Sequence, residues 1–315
     1  MIRALVAALL VITFSSEART AEMRRWPQVQ NRSVRMTSIA FIGGERLTTL
    51  ATDAAGNAWV GTTSDDGGRV VRIERSSGRA VQVNRGEPVS SIVVVGDDTA
   101  CYGGYVTSRV TCVRRGGSEW HIMLPERSDV VDVASLKGET YVFASSSGTL
   151  YRLRQGRAVR VARVAPSRWM LIGQDALAFV MPKTTEIELY TPESGIERRT
   201  ARAPLGLSPY GATRGKDLIV SEYPSHALRV IAANAPARIV LTGGQPERVA
   251  CRGSHCWYSA AGFGGWLAIG LWSTGEPHEY IPPAKLSPGA LVAENRQGDL
   301  VLADPDLKAV IFLQR

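Results

Sequence analysis

The stretch LTTLATDAAGNAWVGTTSDDGGRVVRIERSSGRAVQV, Leu47 to Val83, holds four short runs rich in Val, Ile, Leu and Thr, separated by three turns of Gly, Asp, Asn and Ser. Such alternation is the signature of half-buried strands, and nothing in it repeats at helical spacing. The first turn contains Gly56. A tight hairpin asks for positive φ there, which Gly adopts without a Cβ clash. The same turn then recurs along the chain, as GDDTACYG with Gly96, KGETYVFA with Gly138, GQDALAFV with Gly173, RGKDLIVS with Gly215, RGSHCWYS with Gly253 and RQGDLVLA with Gly298. The glycines are separated by 40, 42, 35, 42, 38 and 45 residues. That period belongs to four-stranded units repeated around an axis.

Beyond the first unit, the others begin near Val89, Val130, Trp169, Leu207, Arg248 and Leu286, and the last ends after three strands. Its fourth strand is expected from VRMTSIAFIGG, Val34 to Gly44, which lies outside the repeat otherwise. The expectation is an all-β, seven-bladed β-propeller. Its ring is closed by the N-terminal strand pairing with the C-terminal blade, which leaves only short edges unpaired. No Pro/Ser linker interrupts residues 34–315, so they are read as one domain. A pair of β-sandwiches would not produce near-equal units with a three-stranded last one.

Upstream, residues 1–21 read MIRALVAALLVITFSSEARTA. A basic start at Arg3, an uncharged run of 11 residues from Ala4 to Phe14 and small residues around Ser16 and Ala18 are the parts of a secretory signal, cleaved near residue 18 or 21. The run is about half the length a transmembrane helix needs. Residues 22–33 form a lead, and the mature chain is expected in the periplasm or outside the cell, with no transmembrane span. The chain carries 37 Lys+Arg against 29 Asp+Glu, a net charge of +8. Loss of Arg3 and Glu17 leaves that balance unchanged. The basic residues are scattered rather than clustered, which argues against nucleic acid and fits a mild preference for anionic partners.

Export places the four cysteines in an oxidising compartment. Cys101 and Cys112 bracket one hairpin-like stretch, and Cys251 and Cys256 bracket CRGSHC. Local pairing in each is the simplest of three connectivities. A metal site using His255 is the rival, although zinc usually takes four ligands and no second cluster adjoins.

The pattern PYG…G…DLIVSE…ALRVI, in residues 209–230, resembles the repeat of the virginiamycin B lyase-like propellers, and the first unit is also similar to NHL-type repeats. Those lyases open a cyclic antibiotic by elimination, with a divalent metal and a compact His and Glu group drawn from late blades. In such chemistry a base removes the proton while the metal stabilises the developing anion. The resemblance implies Glu222 and His226 as the matching members here, with a divalent metal as cofactor only in that case. The companion His and Glu expected one unit later are absent from CWYSAAGFGGWLAIGLW, and His278-Glu279 is read as an outer turn.

No P-loop, dinucleotide fingerprint or nucleophile elbow occurs. Asp65-Asp66 and Asp304-Pro305-Asp306 lack the ligand spacing of a calcium loop and are read as solvated turns. Trp257, Trp266 and Trp272 are read as packing between blades rather than as a stacking platform. Propeller ligands sit over the channel mouth, where loops from each outer strand to the next inner strand converge. Those loops hold Glu87, Arg127, Asp129, Arg168, Trp169, Tyr210 and Arg248. Three arginines among them favour a carboxylate or phosphate. The expected function is therefore a non-catalytic exported propeller binding a protein partner or small anionic ligand at that face, without a cofactor. A metal-dependent lyase-like or hydrolytic enzyme, and a structural subunit of a cell-envelope complex, are the alternatives.

Overall fold

A computed structural model describes residues 35–41, 45–206, 210–221, 226–232, 235–262, 267–280 and 286–314. The expected signal and lead, residues 1–33, lie outside them, as do Glu222 and Trp266. Every regular element described is a strand. After β1 (Arg35–Phe41), one sheet is made of β2 (Arg46–Thr52), β3 (Ala58–Thr63), β4 (Gly68–Ile73) and β5 (Ala80–Gly86). A six-stranded sheet follows, from β6 (Val89–Val95), β7 (Thr99–Arg114), β8 (Glu119–Leu136), β9 (Glu139–Ala144), β10 (Thr149–Arg154) and β11 (Arg157–Arg163). The next holds β12 (Trp169–Ile172), β13 (Leu177–Val180), β14 (Glu186–Thr191) and β15 (Gly195–Thr200). Then come β16 (Gly211–Arg214), β17 (Asp217–Ser221), β18 (Ala227–Ile231) and β19 (Arg238–Leu241). A fifth contains β20 (Gln245–Arg252), β21 (His255–Ala261), β22 (Leu267–Trp272) and β23 (His278–Tyr280). The last comprises β24 (Leu291–Glu294), β25 (Leu300–Asp304) and β26 (Ala309–Gln314), and β1 pairs antiparallel with β26 as its fourth strand.

Among the described residues the sheets number six, not the seven expected from the turn glycines. Two sequence units share one sheet because β8 crosses between them without a break. Its first part pairs with β7 as far as Ser128 and Val130, and from Val131 onward it pairs with β9. Within β7 the chain doubles back about Val106, which adopts a φ of 50°. Cys101 thereby meets Cys112, with Cα atoms 4.0 Å apart, while Cys251 meets Cys256 across the β20–β21 register. Both local disulfides expected from the spacing are present.

Alternate residues of each strand pack against the neighbouring sheets. Leu47, Val60 and Ile73 of the first sheet share a cluster with Val301 and Phe312 of the last. Trp59 and Val70 pack on the other side against Val89 and Tyr102. Farther along, Ile219 and Leu228 meet Tyr258 and Trp272, and Trp257 packs with Leu302 and Ile311. Trp257 and Trp272 are thus core residues, as expected. Burying a side chain of this size stabilises the fold by about 2–3 kcal/mol. Hydroxyls tie the inner strands together: Thr48 Oγ1 donates to the Val89 carbonyl at 2.7 Å, and Ser90 Oγ to that of Val131 at 2.6 Å.

Six of the seven turn glycines have the expected positive φ, from 54° at Gly253 to 85° at Gly298. Gly173 differs. It is needed for close approach, because a Cβ there would stand 2.0 Å from Thr213 Oγ1 and 2.2 Å from the Thr213 carbonyl oxygen. In two acidic segments read as exposed turns, one carboxylate each is buried, while His278 and Asp306 are exposed and residues 305–308 do turn. Glu279 lies in β23, its Oε1 accepting from Gly243 N at 2.8 Å and Tyr258 Oη at 2.7 Å. Asp304 is buried and accepts from the backbone amides of Ser287, Asp306 and Leu307. Buried carboxylates need such donors. Among the described residues no helix is long and apolar enough to cross a membrane.

Candidate functional site

A central cavity of about 750 Å³ is lined by the innermost strands β2, β6, β8, β12, β16, β20 and β24. Two of the sequence-predicted mouth residues reach it, Tyr210 and Arg248. Tyr210 precedes β16, and its carbonyl is held by the Ser221 amide at 2.7 Å and the Ser221 hydroxyl at 2.9 Å. With the backbone fixed, its ring lies under the Arg248 guanidinium, whose Cζ is 3.7 Å from the ring centroid. Arg248 Nε is buried and has no hydrogen-bond partner among the described residues. Burial pulls the Arg248 pKa below the usual arginine value, and the nearby Arg46 pulls in the same direction. The group stays protonated at any physiological pH. The exposed Trp169 ring lies beside that of Tyr210, with centroids 5.9 Å apart and planes tilted by 40°.

The remaining predicted residues make local contacts. Glu87 Oε1 accepts from Arg109 Nη2 at 2.9 Å, Arg127 Nε donates to the Val106 carbonyl at 3.2 Å, and the Asp129 amide donates to Ser146 Oγ at 2.8 Å. Arg168 is buried. It pairs with Glu186 at 2.7 Å and with Glu188 at 3.2 Å, so its charge is consumed inside the structure. The exposed His226 donates from Nδ1 to the Gly243 carbonyl at 3.1 Å, while Glu222 lies outside the described residues. Among the described residues no three His, Cys, Asp or Glu side chains converge as a metal-holding group.

The turns from inner to second strands contribute charges to the cavity lining that sequence reading missed. Lys137 and Arg252 stand directly before the turn glycines Gly138 and Gly253, and Arg296 stands two before Gly298. Recurrence of a basic residue at that turn position was the available signal. Arg252 Nη1 donates to the carbonyls of Glu294, at 3.2 Å, and Asn295. The Glu294 carboxylate is itself engaged by His255 Nε2 at 2.6 Å and Trp257 Nε1 at 3.2 Å. Lys137 is ion-paired with Glu193 at the surface. Arg296 is exposed and has no hydrogen-bond or ion-pair partner among the described residues. The charged lining is thus Lys137, Arg248, Arg252 and Arg296 against Glu294 alone. Low-dielectric walls focus such a field and concentrate anions in the cavity.

No family model and no curated protein matches the chain. Among solved structures it is similar to virginiamycin B lyase from Staphylococcus aureus, with a TM-score of 0.68 and 14% identity over 90% of this chain and 100% of that one. It is similar to a streptogramin B lyase, with a TM-score of 0.65 and 14% identity over 88% of this chain and 96% of the other. A chain of the mitotic checkpoint complex matches with a TM-score of 0.68 and 13% identity, covering 92% of this chain and 97% of that one. At these identities the likeness is one of fold. The protein is an all-β propeller resembling the virginiamycin B lyase structures at that level.

Proposed function

We propose that this propeller is an exported binding protein that takes a small anionic ligand in its central cavity. The observation that carries this reading is the cavity lining, in which Arg248, Arg252, Arg296 and the Glu193-paired Lys137 stand against one lining carboxylate, Glu294. Guanidinium groups favour carboxylates and phosphates through paired N–H donors, and three of the lining cations are arginines. The reading also takes residues 34–315 as one domain whose sheets close into a ring latched by β1. The β1–β26 pairing and the cluster shared by first and last sheets support the latch. The two disulfides are compatible with the oxidising compartment that the N-terminal segment implies.

Calorimetric titration of the purified protein with citrate, phosphate and a neutral polyol tests it. The anions are expected to bind, less tightly as salt is raised, and Arg248→Ala is expected to weaken them about tenfold, the loss of one charge-assisted contact. No heat from either anion, or equal binding by Arg248→Ala, overturns the assignment.

A further inference from the structure

The cations of the cavity are arranged in two groups along its length. Arg248 and Arg252 are four residues apart on β20, about 13 Å along the strand; the first covers Tyr210 beside β16, and the second reaches the carbonyls of Glu294 and Asn295 at the end of β24. Around Arg248 the wall carries Tyr210, while Arg252 stands near the inner turns with Arg296, the Glu193-paired Lys137 and the one lining carboxylate, Glu294. Between and beside these groups the aliphatic residues Ala51, Val94, Ile172, Ala250 and Ala293 alternate with the hydroxyl and amide side chains of Thr49, Thr52, Ser135 and Gln174. A compact anion satisfies one group and leaves the other unmatched.

We infer that the cavity is built for an elongated dianion, a ligand with an acidic group at each end of an apolar stem long enough to reach from Arg248 to the Arg252, Lys137 and Arg296 group. This inference rests on the anion-binding reading above and narrows it to one ligand class. The stem buries apolar surface along the strand walls, and each acidic end meets cations. The Tyr210 ring under Arg248 and the exposed, tilted Trp169 ring sit beside the Arg248 end.

The test is a series of linear α,ω-dicarboxylates, from butanedioate to dodecanedioate, titrated calorimetrically beside dodecanoate. Affinity is expected to climb with length and to be highest for dodecanedioate, whose extended chain matches the span. Dodecanoate should bind about tenfold more weakly than dodecanedioate, because one terminal ion pair is missing. Arg296→Gln, which breaks no described contact, should erase the advantage of dodecanedioate over dodecanoate while leaving dodecanoate unchanged. Arg252→Gln gives the same comparison if Arg296 proves peripheral. Equal affinities for butanedioate, dodecanedioate and dodecanoate would overturn the two-ended site while leaving an anion site at Arg248 intact. Equal loss of both long ligands in Arg296→Gln and Arg252→Gln would also overturn it. Absence of binding by every acid in the series would remove both proposals.

Discussion

Replacing Gly173 by Ala tests how closely neighbouring sheets approach one another. The backbone at Gly173 lies outside the positive-φ region, so the substitution introduces no torsional strain of its own. Its whole effect is steric. The new Cβ would stand 2.0 Å from Thr213 Oγ1 and 2.2 Å from the Thr213 carbonyl oxygen, where contact begins at 3.4 Å. The hydroxyl can rotate away, but the carbonyl belongs to β16, so the third and fourth sheets must part by about 1.2 Å. Overpacking of this kind costs about 1–3 kcal/mol. The buried bond from Thr213 Oγ1 to the Ala176 carbonyl, 2.7 Å long, is lost as well, adding about 1 kcal/mol. A total of about 3 kcal/mol corresponds to a fall in Tm of about 5 °C for a chain of this size. Calorimetric melting of the purified variant reads it directly. Gly96→Ala is the control: its φ of 76° strains a Cβ, yet no atom lies within 4 Å, so only about 1 kcal/mol is expected. Adding Thr213→Ala should rescue little, since the carbonyl obstacle persists. A Gly173→Ala protein that melts within 1 °C of the parent would refute the close approach and the register on which it rests.

Two further outcomes follow from the same contacts. Burial raises the Asp132 carboxyl to about 6, against an ordinary value of 3.8, despite hydrogen bonds from Ser90 and Ser91 that pull the other way. In the unfolded chain the group ionises first, so stability falls as pH rises from about 4 to about 6. Asp132→Asn should therefore be more stable by about 2 kcal/mol at pH 7 and equal to the parent below pH 4; melting at the two values checks it, and a gain independent of pH would refute the cause. Reduction should lower stability by about 2–3 kcal/mol per disulfide in the chain-entropy model, read as a drop in Tm with dithiothreitol. Cys251, which borders the cavity, should react before the fully buried Cys101–Cys112 pair in mass-spectrometric labelling.

The strand content and the repeat were legible because both depend on local chemistry. Alternating apolar residues mark one buried face per strand, and Gly at positive φ marks each hairpin. The two disulfides were legible for the same reason, since each closes a single hairpin. The function of Arg168 was not. Sequence places it in a loop before β12, but Glu186 and Glu188 both come from β14, which no local pattern links to it. Glu279 misled likewise, since its donors Gly243 and Tyr258 sit on other segments, and Asp304 did so in part, since Ser287 joins the local amides of Asp306 and Leu307. The cations Lys137, Arg252 and Arg296 went unread because they lie in separate turns.

The amino-acid order alone determined that the chain forms short antiparallel strands, where its hairpins turn and which cysteines pair, because each depends on residues close in sequence. Tertiary structure decided how the units merge into six sheets, which arginines are spent on buried carboxylates and which face the cavity. These depend on which strands lie side by side around the axis, a matter of packing between residues far apart in the chain, and a charge has meaning for binding only once its neighbours are set.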